Sequence, residues 1–240
     1  MPSSPPTFLD HVEAKQRAIA QWINRYQGLT DALDAAHLFA RGLPLTATNG
    51  AKLTRLQAVA HGFWQTAADY QVQSIEHLCA GELDTGMAIL RMSAELARDA
   101  VVISRDSKNL DLWINREDRH QEYRRTFKFD HGTRDGKHAN ELYTLTTQFG
   151  VHGHHTSAIG AKPSLAKPGM FAVSPRTQLK CIAVWFTSLG PIGGLFLRSL
   201  HISSTKYPVE YRKLLDLLVA VASMAPIWEE QPETDDTQFH

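Results

Sequence analysis

Residues 84–106, DTGMAILRMSAELARDAVVISRD, decide the fold. Set at about 100° per residue they separate into two faces. Ile89, Ser93, Leu96, Ala97, Ala100 and Ile103 make one face, small and apolar enough for another helix to lie close against it. Asp84, Arg91, Glu95, Arg98, Asp99, Val102 and Arg105 make the opposite one, a long stripe carrying both signs of charge. A helix this long with an apolar side reads as a central rod, and the segments before it read as helices that lean on it.

Working back toward the N-terminus, residues 1–6 read as a disordered lead-in. Thr7 and Asp10 then stand at capping-box spacing. Val12, Ile19, Trp22, Ile23 and Tyr26 trace a helical face up to Gly28, and a shorter helix is expected over residues 30–40. With Asn49 as N-cap, Leu53, Leu56, Ala60, Phe63, Trp64 and Ala67 recur at three and four, carrying the next helix to about Cys79 before Gly81 stops it.

Working forward, Ser107-Lys108-Asn109 reads as a polar turn. Residues 110–129 read as one basic, salt-bridged helix with Leu112, Trp113 and Tyr123 on its apolar side. Asp130-His131-Gly132 and Asp135-Gly136 mark a loop. His138, Leu142, Leu145, Phe149 and His152 then define a helix whose apolar stripe begins and ends in histidine, and residues 156–175 form a linker. Cys181–Leu197 is free of charge but shorter than the roughly 20 apolar residues of a membrane span. Interrupted by Gly190, Pro191, Gly193 and Gly194, it reads as two buried segments meeting at a bend. A last helix follows, with Tyr211, Leu214, Leu215, Leu218, Ala222 and Ala225 on its core face. The expected fold is all-α, a multi-helix bundle of about seven or eight helices closed by a C-terminal helical pair. It is expected to form one domain over residues 1–228, with residues 229–240 as a disordered acidic tail.

Lysine plus arginine equals aspartate plus glutamate, 25 of each, so the formal charge is zero. That balance argues against a dedicated nucleic-acid or membrane-surface binder, leaves room for a local patch, and gives no reason to expect DNA as a partner. Cys79 and Cys181 form no pair motif, and the opening MPSSPPTFLD is polar and proline-rich, which together predict a reducing cytoplasm.

Chemistry would concentrate after the central helix. Five of the twelve histidines lie between His131 and His155, tightest at His152-Gly153-His154-His155. His152 and His154, with Glu95 supplied by the central helix, make a candidate divalent-metal set, because bundle cores hold metals with carboxylates and histidines from facing helices. The stripe itself reads as exposed i,i+3 and i,i+4 pairs or, if buried, as a polar cluster of Arg91, Glu95, Asp99 and His152 that fixes two helices together or tunes an acid–base site. No cofactor motif is present: nucleophile elbow, Walker loop, dinucleotide fingerprint and paired-cysteine signature are all missing from the sequence.

Arg91 and Glu95 on a central helix, the basic helix around Trp113, and Leu142-Tyr143 followed by Phe149-Gly150-Val151-His152 together resemble a group of uncharacterised bacterial helical-bundle proteins. The likeness spans about residues 84–155 and implies an all-α bundle. The pattern also resembles, distantly, the HEPN superfamily, which includes RNase toxins and phage-defence effectors. Arg125-Thr126-Phe127-Lys128-Phe129-Asp130-His131 matches its spacing. That resemblance implies metal-independent RNA cleavage, with His131 as acid–base residue, Arg125 as phosphate anchor and the RNA 2′-hydroxyl as nucleophile. The expected function is a cytoplasmic bacterial interaction or regulatory protein in a defence or stress setting, acting on a protein partner or as a homo-oligomer. An HEPN-like RNase using Arg125 and His131 is the alternative, beside a metal-dependent hydrolase using His152, His154 and Glu95.

Overall fold

The computed structural model describes residues 7–25, 34, 52–150, 162–163, 171–172, 175–202, 209, 212–213 and 216. The protein is all-α, with seven helices among the described residues: α1 (Phe8–Arg25), α2 (Arg55–Cys79), α3 (Leu83–Arg105), α4 (Ser107–Ile114), α5 (His120–Thr126), α6 (Arg134–Gly150) and α7 (Pro175–Ser199). A two-residue antiparallel bridge pairs Lys162 with Ala172 and Pro163 with Phe171.

The helix read as central is central: α3 packs against α2, α6 and α7, and α4 folds back on its end. Small residues let α2 and α3 approach closely, as expected from the 84–106 pattern. Gly86 lies so near Leu78 that a Cβ there would sit 2.7 Å from its side chain. Ser74 and Ser93 seal the same interface by donating to the carbonyls of Gly86 (2.7 Å) and Ala67 (3.1 Å). Gly81, at φ 81°, makes the turn between the two helices in a conformation that favours glycine. The apolar face is broader than expected, because Leu90, Ala94 and Met87 are fully buried while Ile89 and Leu96 are only partly so.

Both N-terminal caps come from threonine. Thr7 and Asp10 form the expected reciprocal pair, with the Asp10 carboxylate accepting from the Thr7 amide at 2.7 Å and Thr7 Oγ1 accepting from the Asp10 amide at 3.2 Å. The cap of α2 is Thr54, in a full capping box with Gln57, rather than Asn49, which lies outside the described residues. Lys15 on α1 reaches Glu82 at 2.9 Å and His77 at 3.0 Å, and His77 also bonds Glu82, tying α1 to the α2–α3 turn.

Four segments differ from the sequence reading, three of them between α3 and α6. Ser107-Lys108-Asn109 is the first turn of α4, because Asp106 caps it by accepting from the Lys108 amide at 2.9 Å. Residues 110–129 form two short helices separated by a turn at 115–119. In one straight helix Trp113 and Tyr123 would stand about 15 Å apart along the axis, yet both donate to Asp99, so the chain must fold between them. Arg119 clamps that fold, bridging Asp111 at 3.1 Å and Glu122 at 2.8 Å. Finally, Asp135 and Gly136 lie inside α6, which begins at Arg134.

The bent pair expected at Cys181–Leu197 is a single helix, α7, running through Pro191. Proline inside a helix costs about 3 kcal/mol. Ile192, Leu195, Phe196 and Leu197 just beyond it are all buried, and each buried side chain of that kind contributes about 1.5–3 kcal/mol. Core burial wins. Trp185 donates to the Gln71 carbonyl at 2.8 Å and Phe196 stacks on Trp64 at 5.1 Å, fixing α7 against α2. By length and composition α7 is apolar enough to cross a membrane, but 72% of its most apolar window is buried among the other helices. The helix expected over residues 30–40, the 156–175 linker, the last helix of the C-terminal pair and the acidic tail lie outside the described residues but for isolated positions.

Candidate functional site

The charged stripe of α3 resolves into two neighbouring pairs with different surroundings. Arg91 donates from Nε to Glu95 Oε1 at 3.0 Å, one turn along the same helix, and from Nη2 to the Tyr143 hydroxyl on α6 at 3.1 Å. Its guanidinium also lies 4.8 Å from the centre of the Tyr143 ring. Arg91 and Glu95 are half-buried, and their role is to hold α3 to α6.

The second pair is deeper. Asp99 is 4% exposed, and three donors converge on its carboxylate. Arg98 donates to Oδ1 at 2.8 Å, while Trp113 Nε1 and the Tyr123 hydroxyl each donate to Oδ2 at 2.9 Å. Arg98 Nη2 donates in turn to the Tyr123 oxygen at 2.9 Å, so Arg98, Asp99 and Tyr123 close a ring of hydrogen bonds into which Trp113 donates. Burial pushes the Asp99 carboxyl above its ordinary range, against the pull of Arg98 and the two neutral donors. Burial, with Asp99 beside it, likewise drives the Tyr123 phenol well upward. Around this ring a second apolar cluster forms from Val102, Ile103, Leu112 and Phe127. Asp99, read from sequence both in the charged stripe and in a polar cluster between helices, is buried, with partners from Trp113 on α4 and Tyr123 on α5.

Beside the ring lies a cleft lined by Arg98, Arg105, Lys128, Phe129, Asp130 and Leu195 among others, with a volume of about 10 Å³. That is room for about one water molecule. Arg105 closes one side by an ion pair to Asp130 at 2.9 Å. The Asp130 carboxyl is held below its usual range by the Arg105 bond and by the Gly132 amide that it accepts from. The loop after it is folded hard onto α6. A Cβ on Gly136 would fall 2.1 Å from the Asp130 carbonyl oxygen.

Of the residues singled out from sequence, Arg125 stands exposed in the last turn of α5 and His131 stands exposed in the turn after Phe129. His138, expected on the apolar stripe of its helix, is exposed; the buried side chains described there are Ala139, Leu142 and Thr146. His152 and His154 lie outside the described residues, as does His155. Glu95 is paired with Arg91, and among the described residues no three histidine, cysteine or acidic side chains gather as a metal set. Compared with family models, with curated proteins and with solved structures, the chain matches none.

Both cysteines are buried and free. Burial raises the Cys79 thiol to about 12 and the Cys181 thiol to about 11, so almost no thiolate exists at neutral pH. A thiol-specific disulfide reagent is expected to label neither cysteine of the native protein within hours, and both at once in denaturant. Rapid labelling without denaturant would show that α2 and α7 part readily.

Proposed function

We propose that the chain is a binding or regulatory protein rather than an enzyme, built around a polar ring that serves the fold. The observation that carries this reading is the inward exhaustion of the ring. Each oxygen of Asp99 is taken up by donors from its own chain, and the cleft alongside admits about one water. General acid–base work needs a group within hydrogen-bond reach of a substrate, and this cleft is too small to bring a substrate to the ring. A bacterial cytoplasm and a defence or stress setting are the context that the sequence resemblance suggests for such a module.

The RNase reading keeps one point in its favour. Arg125 and His131 are both exposed, with no side-chain partner of either among the described residues. Expression in a bacterial host separates the two. A binding protein is expected to leave growth as unaffected as its His131→Ala variant does. Growth arrest by the native chain, relieved by that one substitution, would replace this reading with nucleolytic cleavage. A stoichiometric divalent metal in the purified protein, lost in His152→Ala, would replace it with the metal-dependent hydrolase.

A further inference from the structure

Three groups meet where α1 lies against the end of α2, and no single protonation state satisfies all of their contacts. Lys15 Nζ lies 3.0 Å from His77 Nδ1 and 2.9 Å from Glu82 Oε2, and the same Nδ1 contacts the same carboxylate oxygen. An ammonium only donates and a carboxylate only accepts. A neutral imidazole with its proton on Nε2 offers Nδ1 to Lys15 as an acceptor, and that atom then has nothing to give Glu82. An imidazolium donates its Nδ1–H to Glu82. It then has no lone pair for Lys15 and sets a like charge beside it. One nitrogen therefore serves either α1 or the α2–α3 turn, and the proton decides which.

We propose that His77 is a proton-sensitive latch on α1: neutral, it holds the helix through Lys15, and protonated, it loosens the helix from the bundle. What moves fixes the direction. Glu82 stays beside His77 whether or not α1 is docked, because its amide donates to the His77 carbonyl at 2.9 Å. Lys15 leaves with α1. An imidazolium therefore meets this like charge only in the docked state, so protons bind preferentially to the undocked one and acid favours undocking. Glu82 stays ionised meanwhile: burial would raise its carboxyl, but the bonds from Lys15 and His77 outweigh burial and hold it below its ordinary range. No other charge reverses that direction. Glu76 and Asp84 act on Cys79 and Cys181 and do not travel with α1. α7 meets this end of α2 with a neutral group, Gln178, which donates to the Leu78 and Cys79 carbonyls at 2.8 and 2.9 Å. On α1 itself Asp10 is bonded to Thr7, and Glu13 is paired with Arg17. Little else restrains the helix. Among the described residues Trp22 is its one buried side chain, and Phe8 and Leu9 at its start are exposed. An imidazole changes charge between about pH 5 and pH 8, and the latch works in that window.

Hydrogen–deuterium exchange of the full chain at the two ends of that window tests the latch, with each amide's rate divided by its intrinsic rate at the same pH. The amides of α1 are expected to lose protection about fivefold or more on acidification, the effect of one like charge about 4 Å away even when screened as in bulk water. Amides in the middle of α3 are expected to keep theirs. His77→Gln supplies a neutral acceptor at every pH and is expected to leave α1 protected in acid. Lys15→Met is expected to lower the protection of α1 at neutral pH and to remove its dependence on pH. Equal protection of α1 at the two ends, protection that rises in acid, or a loss in His77→Gln as large as in the native chain would each overturn the latch. A parallel loss along α3 would overturn it as well, since acid would then be unfolding the whole bundle.

Discussion

Replacing Asp99 with alanine is expected to cost about 3 kcal/mol of folding stability, read as a shift of the urea midpoint at constant slope. The carboxylate is the acceptor for Arg98, Trp113 and Tyr123 alike. Removing it strands a guanidinium whose side chain is only 12% exposed. Breaking a buried pair from one side typically costs about 3–5 kcal/mol. The lower end applies because Arg98 keeps its bond to the Tyr123 oxygen. Removing both charges together, Arg98→Met with Asp99→Leu, is expected to recover much of the loss, since an apolar pair of similar volume needs no partners. A cost below about 1 kcal/mol for Asp99→Ala would mean that the ring is wet and contributes little. Its groups would then be open to solvent rather than consumed by folding.

Gly136→Ala is expected to be nearly as damaging, and its sign is not what helix propensity would suggest. Alanine in place of glycine within a helix ordinarily gains about 1 kcal/mol. Here the added methyl would stand 2.1 Å from the Asp130 carbonyl oxygen and 2.8 Å from Thr133 Oγ1. The first of these is backbone and cannot swing aside. Forced displacement of packed groups costs about 1–3 kcal/mol, and the loop carrying the Arg105–Asp130 pair would have to lift from α6. Thermal unfolding of the variant checks this, and an unchanged or raised melting temperature would show that the loop yields freely. Gly132→Ala is the contrasting case, since a Cβ there meets only the Asp130 side chain, at 3.2 Å.

The central helix and its small-residue face were legible because periodicity survives along a single segment, from Ile89 to Ile103. The stop at Gly81 and the Thr7–Asp10 cap were legible for a similar reason, being local chemistry. What escaped is whatever depends on residues far apart in the chain. Asp99 is buried because Trp113 and Tyr123 come back to it, 14 and 24 positions later, and no window on α3 contains them. The split of 110–129 into α4 and α5 has the same origin. Pro191 and its glycines looked like a break since local cost can be read from a sequence, whereas the burial that outweighs it is supplied by α2, α3 and α6. The Arg91–Glu95 pair was expected one turn apart, but the Tyr143 hydroxyl that completes it was not.

The position of α3 has a consequence for how the protein opens. Packed against three long helices and capped by α4, its buried middle is expected to exchange its amide protons with deuterated solvent only on global unfolding. α1 touches the remainder chiefly through α2 and the Lys15 contacts, so its amides are expected to exchange through a private opening at far lower free energy. A protease probing the native chain would then meet a molecule that sheds its first helix while its middle stays locked.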